Sequence, residues 1–183
     1  MTRETPTAAR RNPFRNPFSP EDSERHGIWH MLVARDSDAF AAGDWSLVEK
    51  DFAAELFEGI TGDASDNPDH WKITYPTLDA YRDDWLRMAE RFKKLPLAQC
   101  THREFIYKLT RMDDVEIAGD RALCHKKFIA DEPLTNGERH SVSCQTLYRL
   151  QRINGIWKIA GFIGYLPLPM GGAARRDVRT CRD

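Results

Sequence analysis

The sequence predicts an α+β fold, and three observations lead to it. Apolar residues recur at three- and four-residue steps up to about residue 95, and at every second position beyond Cys100. Near the end, in "YRLQRINGIWKIAGF" (Tyr148 to Phe162), an Asn-Gly pair separates two alternating stretches and supplies the positive φ angles of a tight hairpin turn. A chain of 183 residues, 41% apolar, is long enough for one domain that buries about 70% of its unfolded surface. The expected architecture is three helices followed by a curved antiparallel sheet with one face buried against them.

Each element has its own signal. Ser19 can cap a first helix with Pro20 at its first position, and Gly43 can end it in the left-handed conformation. In "SLVEKDFA", Ser46 and Glu49 have capping-box spacing, which predicts a short second helix with Leu47, Val48 and Phe52 toward the core. Thr77 caps a third, whose Leu78, Tyr81, Trp85, Met88, Phe92 and Leu95 form one stripe. A short strand is expected near residues 57–60. Four long strands follow, carrying Phe105, Tyr107 and Leu109; then Ala122, Cys124, Phe128 and Ala130; then Val142, Cys144, Thr146, Tyr148 and Leu150; then the last arm of the hairpin.

Composition excludes several function classes. Lys and Arg total 27 against 28 Asp and Glu, so no global field draws the chain to nucleic acid or to an anionic membrane. There is no apolar stretch long enough to span a bilayer and no signal-peptide pattern, and none of the four cysteines forms a CxxC pair. The expectation is a soluble, cytoplasmic protein with reduced cysteines. No pair of histidines has metal-ligand spacing, and there is no nucleophile elbow, phosphate loop or dinucleotide fingerprint, so no metal or cofactor is expected. Residues 1–18, with the tandem "RNPFRNPF", read as a disordered or extended arm, residues 19–169 as the domain, and residues 170–183 as a flexible tail.

Three stretches, "AFAAGDWSLVEKDFA", "VEIAGDRALCHKKF" and "YRLQRINGIWKIAGF", together resemble the nuclear transport factor 2-like superfamily, in its SnoaL-like and scytalone dehydratase-like branch. The resemblance covers about residues 22–166. It implies a cone-shaped barrel, a small-molecule pocket between the helices and the concave sheet, and a homodimer through the outer sheet face; strand alternation puts Leu123, Ile129, Leu147 and Phe162 on that outer face. Enzymes, binding proteins and structural subunits share this scaffold, so it does not fix the activity.

Side-chain phase selects residues for such a pocket. If Phe105, Leu109, Val142 and Leu150 point inward, so do Arg103, Tyr107, His140, Cys144, Thr146 and Tyr148. Lys126 shares the phase of Cys124 and Phe128, although a β-bulge would instead turn Leu123, His125 and Ile129 inward. The first helix adds Trp29 and Phe40, and Asp36 lies on the same apolar stripe. A buried carboxylate must be paired, hydrogen-bonded or protonated, so Asp36 reads either as an acid or base or as a structural anchor held by Arg103, Lys126 or a backbone amide. The segment 61–76 reads as a lid anchored by Trp71 or as a plain connector.

Two functions follow. In the first, Asp36, Tyr107, Lys126 and His140 catalyse cofactor-independent proton transfer in a lyase, isomerase or cyclase, with Trp29, Phe40, Phe105, Trp71, Cys144, Thr146 and Tyr148 around a small apolar or carbonyl-containing ligand. In the second, the chain is a non-catalytic binding or structural subunit, similar to the small subunits of ring-hydroxylating dioxygenases.

Overall fold

The computed structural model describes residues 11–171, and in it the helices pack over one face of a curved six-stranded sheet. The first helical run has three parts: α1 (Ser23–Trp29), a wide π-turn (His30–Arg35) and α2 (Asp36–Ala42). It starts later than Ser19 because Asp22 is the cap, its carboxylate accepting from the Arg25 amide at 3.3 Å, while Ser19 is taken up in the preceding turn. Gly43, at φ 68°, closes it as expected. The short second helix is two 3₁₀ turns instead, Trp45–Leu47 and Glu49–Asp51. Asp44, not Ser46, holds the cap there, accepting from the Ser46 amide at 3.0 Å. Val48 is buried, but Leu47 points to solvent. The long helix α3 (Leu78–Lys93) forms as its stripe predicts, with Thr77 at its cap and Tyr81, Trp85, Met88 and Phe92 buried.

The main correction concerns residues 102–109. They are not a strand but a helix, α4 (His102–Leu109), opened by a complete capping box between Thr101 and Glu104. Phe105, Ile106 and Leu109 form its inward stripe at helical spacing, so the alternation of Phe105, Tyr107 and Leu109 was a fragment of the longer period.

The sheet runs β2-β1-β6-β5-β4-β3, from β1 (Glu58–Thr61), β2 (Lys72–Tyr75), β3 (Thr110–Ala118), β4 (Arg121–Pro133), β5 (Arg139–Ile153) and β6 (Ile156–Pro167). Four of the five pairings between neighbouring strands are antiparallel, but β1 lies parallel to β6, which makes the sheet mixed. Its edges, β2 and β3, do not meet, so the cone is open rather than a closed barrel. Asn154 and Gly155, at φ 51° and 78°, form the expected two-residue turn between β5 and β6. Gly161 is required where β1 joins: a Cβ there would lie 2.2 Å from the Glu58 carbonyl oxygen.

The tandem in residues 11–18 is a pair of turns, not an extended arm. Asn12 and Asn16 each accept from the amide two residues on, that of Phe14 or Phe18, at 3.0 Å. The Phe14 ring lies 4.5 Å from that of Tyr107, and Arg11 donates to the Thr110 carbonyl at 2.5 Å. The expectations for residues 1–10 and 172–183 lie outside the described residues. Cys100 and Cys124 are free thiols, but Cys144 is disulfide-bonded, against the expectation that the cysteines are reduced. Among the described residues no helix is long and apolar enough to cross a membrane.

Candidate functional site

A cavity of about 170 Å³ lies between the helices and the inner face of the sheet. One wall is α3, with Tyr81, Trp85, Met88 and Phe92; Phe40 comes from α2, and Phe105, Ile106 and Leu109 from α4. The sheet contributes Lys126 and Phe128 from β4, Val142, Thr146 and Tyr148 from β5, and Phe162 and Tyr165 from β6. The lining is aromatic and aliphatic, with a few polar groups, as small-molecule sites usually are.

Asp36 and Lys126 are the charged pair in this lining. Lys126 Nζ donates to Asp36 Oδ2 at 2.5 Å and to the Leu32 carbonyl at 2.6 Å. The Lys126 side chain is 2% exposed and that of Asp36 is 28% exposed, so the carboxylate faces the cavity and the ammonium lies behind it. Local structure makes this contact. The π-turn widens the helix just before Asp36, and the Leu32 carbonyl within it serves as the second acceptor for Lys126. On the sheet side, Lys126 pairs in register with Thr146, in the inward phase, which is one of the two alternatives for its strand. Phe128 and Tyr148 flank the ammonium, their ring centroids 5.3 and 5.8 Å from Nζ.

Two tyrosines complete this end of the cavity. Burial, and then the Asp36 carboxylate, push Tyr148 above its ordinary range, partly offset by a hydrogen bond with Tyr81. Burial and then Tyr148 push Tyr81 up as well. Both hydroxyls therefore stay neutral and can donate to an oxygen in the cavity.

Phe162 reverses an expectation. Its place in the alternation puts it on the outer face, yet it is buried and lines the cavity. The register of β5 against β6 slips twice, between Arg149 and Leu150 and again between Gln145 and Leu147. These bulges place Ile159, Phe162 and Tyr165, three residues apart each time, on one face.

Of the residues selected from the sequence, Asp36, Phe40, Phe105, Lys126, His140, Thr146 and Tyr148 line the cavity. Tyr107 does not: on α4 its hydroxyl donates to the Ala34 carbonyl at 3.1 Å, and its ring packs under Phe14 and Arg103. Arg103 pairs with Asp38, not Asp36. Trp29 is in the core against the His30 ring, and Cys144 packs in the cluster around Phe105 and Leu109. Trp71 stays within its own loop, its indole donating to the Ser65 carbonyl at 3.0 Å. Trp85, Met88, Arg91 and Tyr165 were not among the selected residues; the first two were legible on the α3 stripe. Among the described residues no cluster of His, Cys, Asp or Glu side chains is arranged to hold a metal ion.

No family model and no curated protein matches the sequence. Solved structures do match. A domain of unknown function with a cystatin-like fold from Nostoc punctiforme is 14% identical, with 80% of this chain and 78% of that chain covered, at a TM-score of 0.50. A nuclear transport factor 2-like protein of unknown function from Shewanella baltica is 14% identical over 78% of this chain and 92% of its own, at 0.47. A ketosteroid isomerase-like protein from Erwinia carotovora is 14% identical over 76% and 96%, at 0.46. With helices laid against a curved sheet and a cavity between them, the chain has the nuclear transport factor 2-like fold.

Proposed function

We propose that the cavity binds a small, mainly apolar carbonyl compound and moves a proton next to its carbonyl group without a cofactor, the chemistry of an isomerase or lyase. The observation that carries this reading is a carboxylate, Asp36, facing an aromatic cavity with neutral tyrosine hydroxyls beside it. Lys126 engages Oδ2, which leaves Oδ1 to take the proton. As the proton leaves, negative charge grows on the carbonyl oxygen, and a hydroxyl from Tyr148 or Tyr81, or the Lys126 ammonium, stabilises it. Tyr107, outside the cavity, has no part in this scheme, and His140 stands too far along β5 to serve the same atoms.

A second reading has its own support. The two short bonds of Lys126, to Asp36 and to Leu32, are also what a structural ion pair would make, and they favour a non-catalytic binding role. The two readings separate by proton exchange. In D₂O, NMR should show that the protein speeds deuterium uptake next to the carbonyl in at least one of a panel of cyclic and aryl ketones. Asp36→Asn should lose that effect by about 10²-fold or more. Ketones that bind with no faster exchange would leave the binding role standing and end the catalytic one.

A further inference from the structure

Lys126 serves the proton transfer only as a cation, yet it has the surroundings of a reactive amine. Its side chain is 2% exposed and still lines the cavity. Two of its three N–H groups go to Asp36 Oδ2 at 2.5 Å and to the Leu32 carbonyl at 2.6 Å. Beyond them Nζ meets the rings of Phe128 and Tyr148, 5.3 and 5.8 Å from their centroids, and both rings line the cavity as well. A lysine becomes a nucleophile when an apolar setting and a neighbouring base let it give up a proton, and Asp36 is in place to take one. That transfer turns two charges into a neutral amine and a neutral acid, and a ligand that expels water from the cavity favours the neutral pair. Neutral hydroxyls on Tyr81 and Tyr148 stand at the same end, where they can donate to the oxygen of a bound carbonyl group.

We propose that Lys126 is a covalent catalyst whose amine condenses with the carbonyl group of the ligand to an iminium ion, so the substrate is a ketone or aldehyde and not an ester or amide. This deepens the proton-transfer reading, on which the place of the carbonyl group in the cavity rests. Asp36 takes a proton from the ammonium, and Nζ adds to the carbonyl carbon as the C=O π bond opens. In all, two protons pass from nitrogen to oxygen by way of Asp36, the C–O bond breaks, and water leaves. No other reactant is needed. The iminium ion carries the charge that the ammonium had, so Asp36 keeps its counter-ion. A positive nitrogen on the carbonyl carbon draws electrons more strongly than a hydrogen-bonded oxygen does. The C–H bond next to it is then the one that Asp36 breaks, and its electron pair forms the C=C bond of an enamine.

Two measurements on the wild-type protein test this with cyclohexanone, acetophenone and benzaldehyde. In H₂¹⁸O, mass spectrometry should show that the protein speeds exchange of the carbonyl oxygen in at least one of them, because hydrolysis of an imine installs an oxygen from water whereas an enolate keeps its own. With sodium cyanoborohydride present, the same compound should label Lys126 at least about tenfold faster than the exposed Lys50 and Lys94, seen in peptide maps as a gain of the compound's mass less one oxygen. Lys126→Arg, which keeps a donor for Asp36, should abolish the oxygen exchange in a protein that circular dichroism shows to be folded. Labelling confined to exposed lysines, oxygen exchange no faster than without the protein, or exchange that survives Lys126→Arg would overturn the inference. Deuterium uptake that depends on Asp36, with neither oxygen exchange nor a labelled Lys126, would end the covalent step and leave the proton-transfer reading standing. Failure of that reading looks different. There, oxygen exchange and the labelled Lys126 would remain, with no deuterium uptake that depends on Asp36.

Discussion

Replacing Asp36 with Asn tests the centre of the site through stability before any substrate is known. The variant keeps the shape of the side chain and an oxygen for Lys126, but it leaves a 2% exposed ammonium without its counter-charge. Breaking a buried ion pair from one side costs about 3 to 5 kcal/mol. Asp36 is 28% exposed, and the amide oxygen and the Leu32 carbonyl still accept from Nζ, so the low end applies, about 3 kcal/mol. For a chain of 183 residues each kcal/mol moves the melting point by about 2 to 4 °C, so the variant should melt about 6 to 12 °C lower. Calorimetry with urea titration measures both numbers. Lys126→Met in the Asp36→Leu background should restore most of the loss, since an apolar pair of similar volume removes both desolvation costs. An Asp36→Asn protein that melts within about 2 °C of wild type, or a double variant whose loss equals the sum of the two single losses, would refute the coupling and the anchoring role with it.

Four further outcomes follow from particular contacts. Burial raises Asp51 above the ordinary carboxylate range in spite of its partner Arg35, and Asp51 Oδ2 has no hydrogen-bond partner. A carboxyl with a raised folded pKa holds its proton more tightly folded than unfolded, so this group's contribution declines as pH rises from about 4 through the raised value; urea midpoints of Asp51→Asn should therefore match or exceed wild type at pH 7 and vary less between about pH 4 and 6. Burial, followed by Asp38, pushes Tyr107 up to about 12; Tyr107→Phe should cost about 1 kcal/mol for the lost bond to Ala34 and leave ligand affinity in the cavity unchanged by titration. Gly161→Ala forces a methyl onto the Glu58 carbonyl and should cost about 3 kcal/mol, with hydrogen exchange speeding first in β1. Leu123 and Ile129 are exposed on the outer sheet face, and light scattering should report a homodimer that Leu123→Glu weakens; a wild-type monomer at micromolar concentration would remove that idea.

What the sequence made legible, and what it hid, follows from how local each signal is. The α3 stripe spans more than four turns, and no other period fits it, so the wall of the cavity could be read directly. Asp36 stood out because a carboxylate on an apolar face needs a partner; Lys126 was one of several candidates, and the strand phase that would bring it inward is the one that holds, as β4 and β5 stay in register from Arg121 to Pro133. The failures arise where an alternation is short or interrupted. Three apolar residues two apart in "FIYKL" suit a strand, but Thr101 and Glu104 already carried the capping box of α4, and Ile106 broke the alternation. Phase counting along β6 failed because it presumes an unbroken ladder, and two bulges break this one. Their trace was present in Gly161 and Gly164, two residues without side chains inside an otherwise apolar strand. Those glycines also shape the site. A Cβ on Gly164 would lie 3.0 Å from the Phe162 ring and 3.1 Å from Thr146 Oγ1. Filling that space would press on two cavity-lining side chains at once, so the irregular strand that hid Phe162 and Tyr165 from the sequence is also what turns them into the cavity.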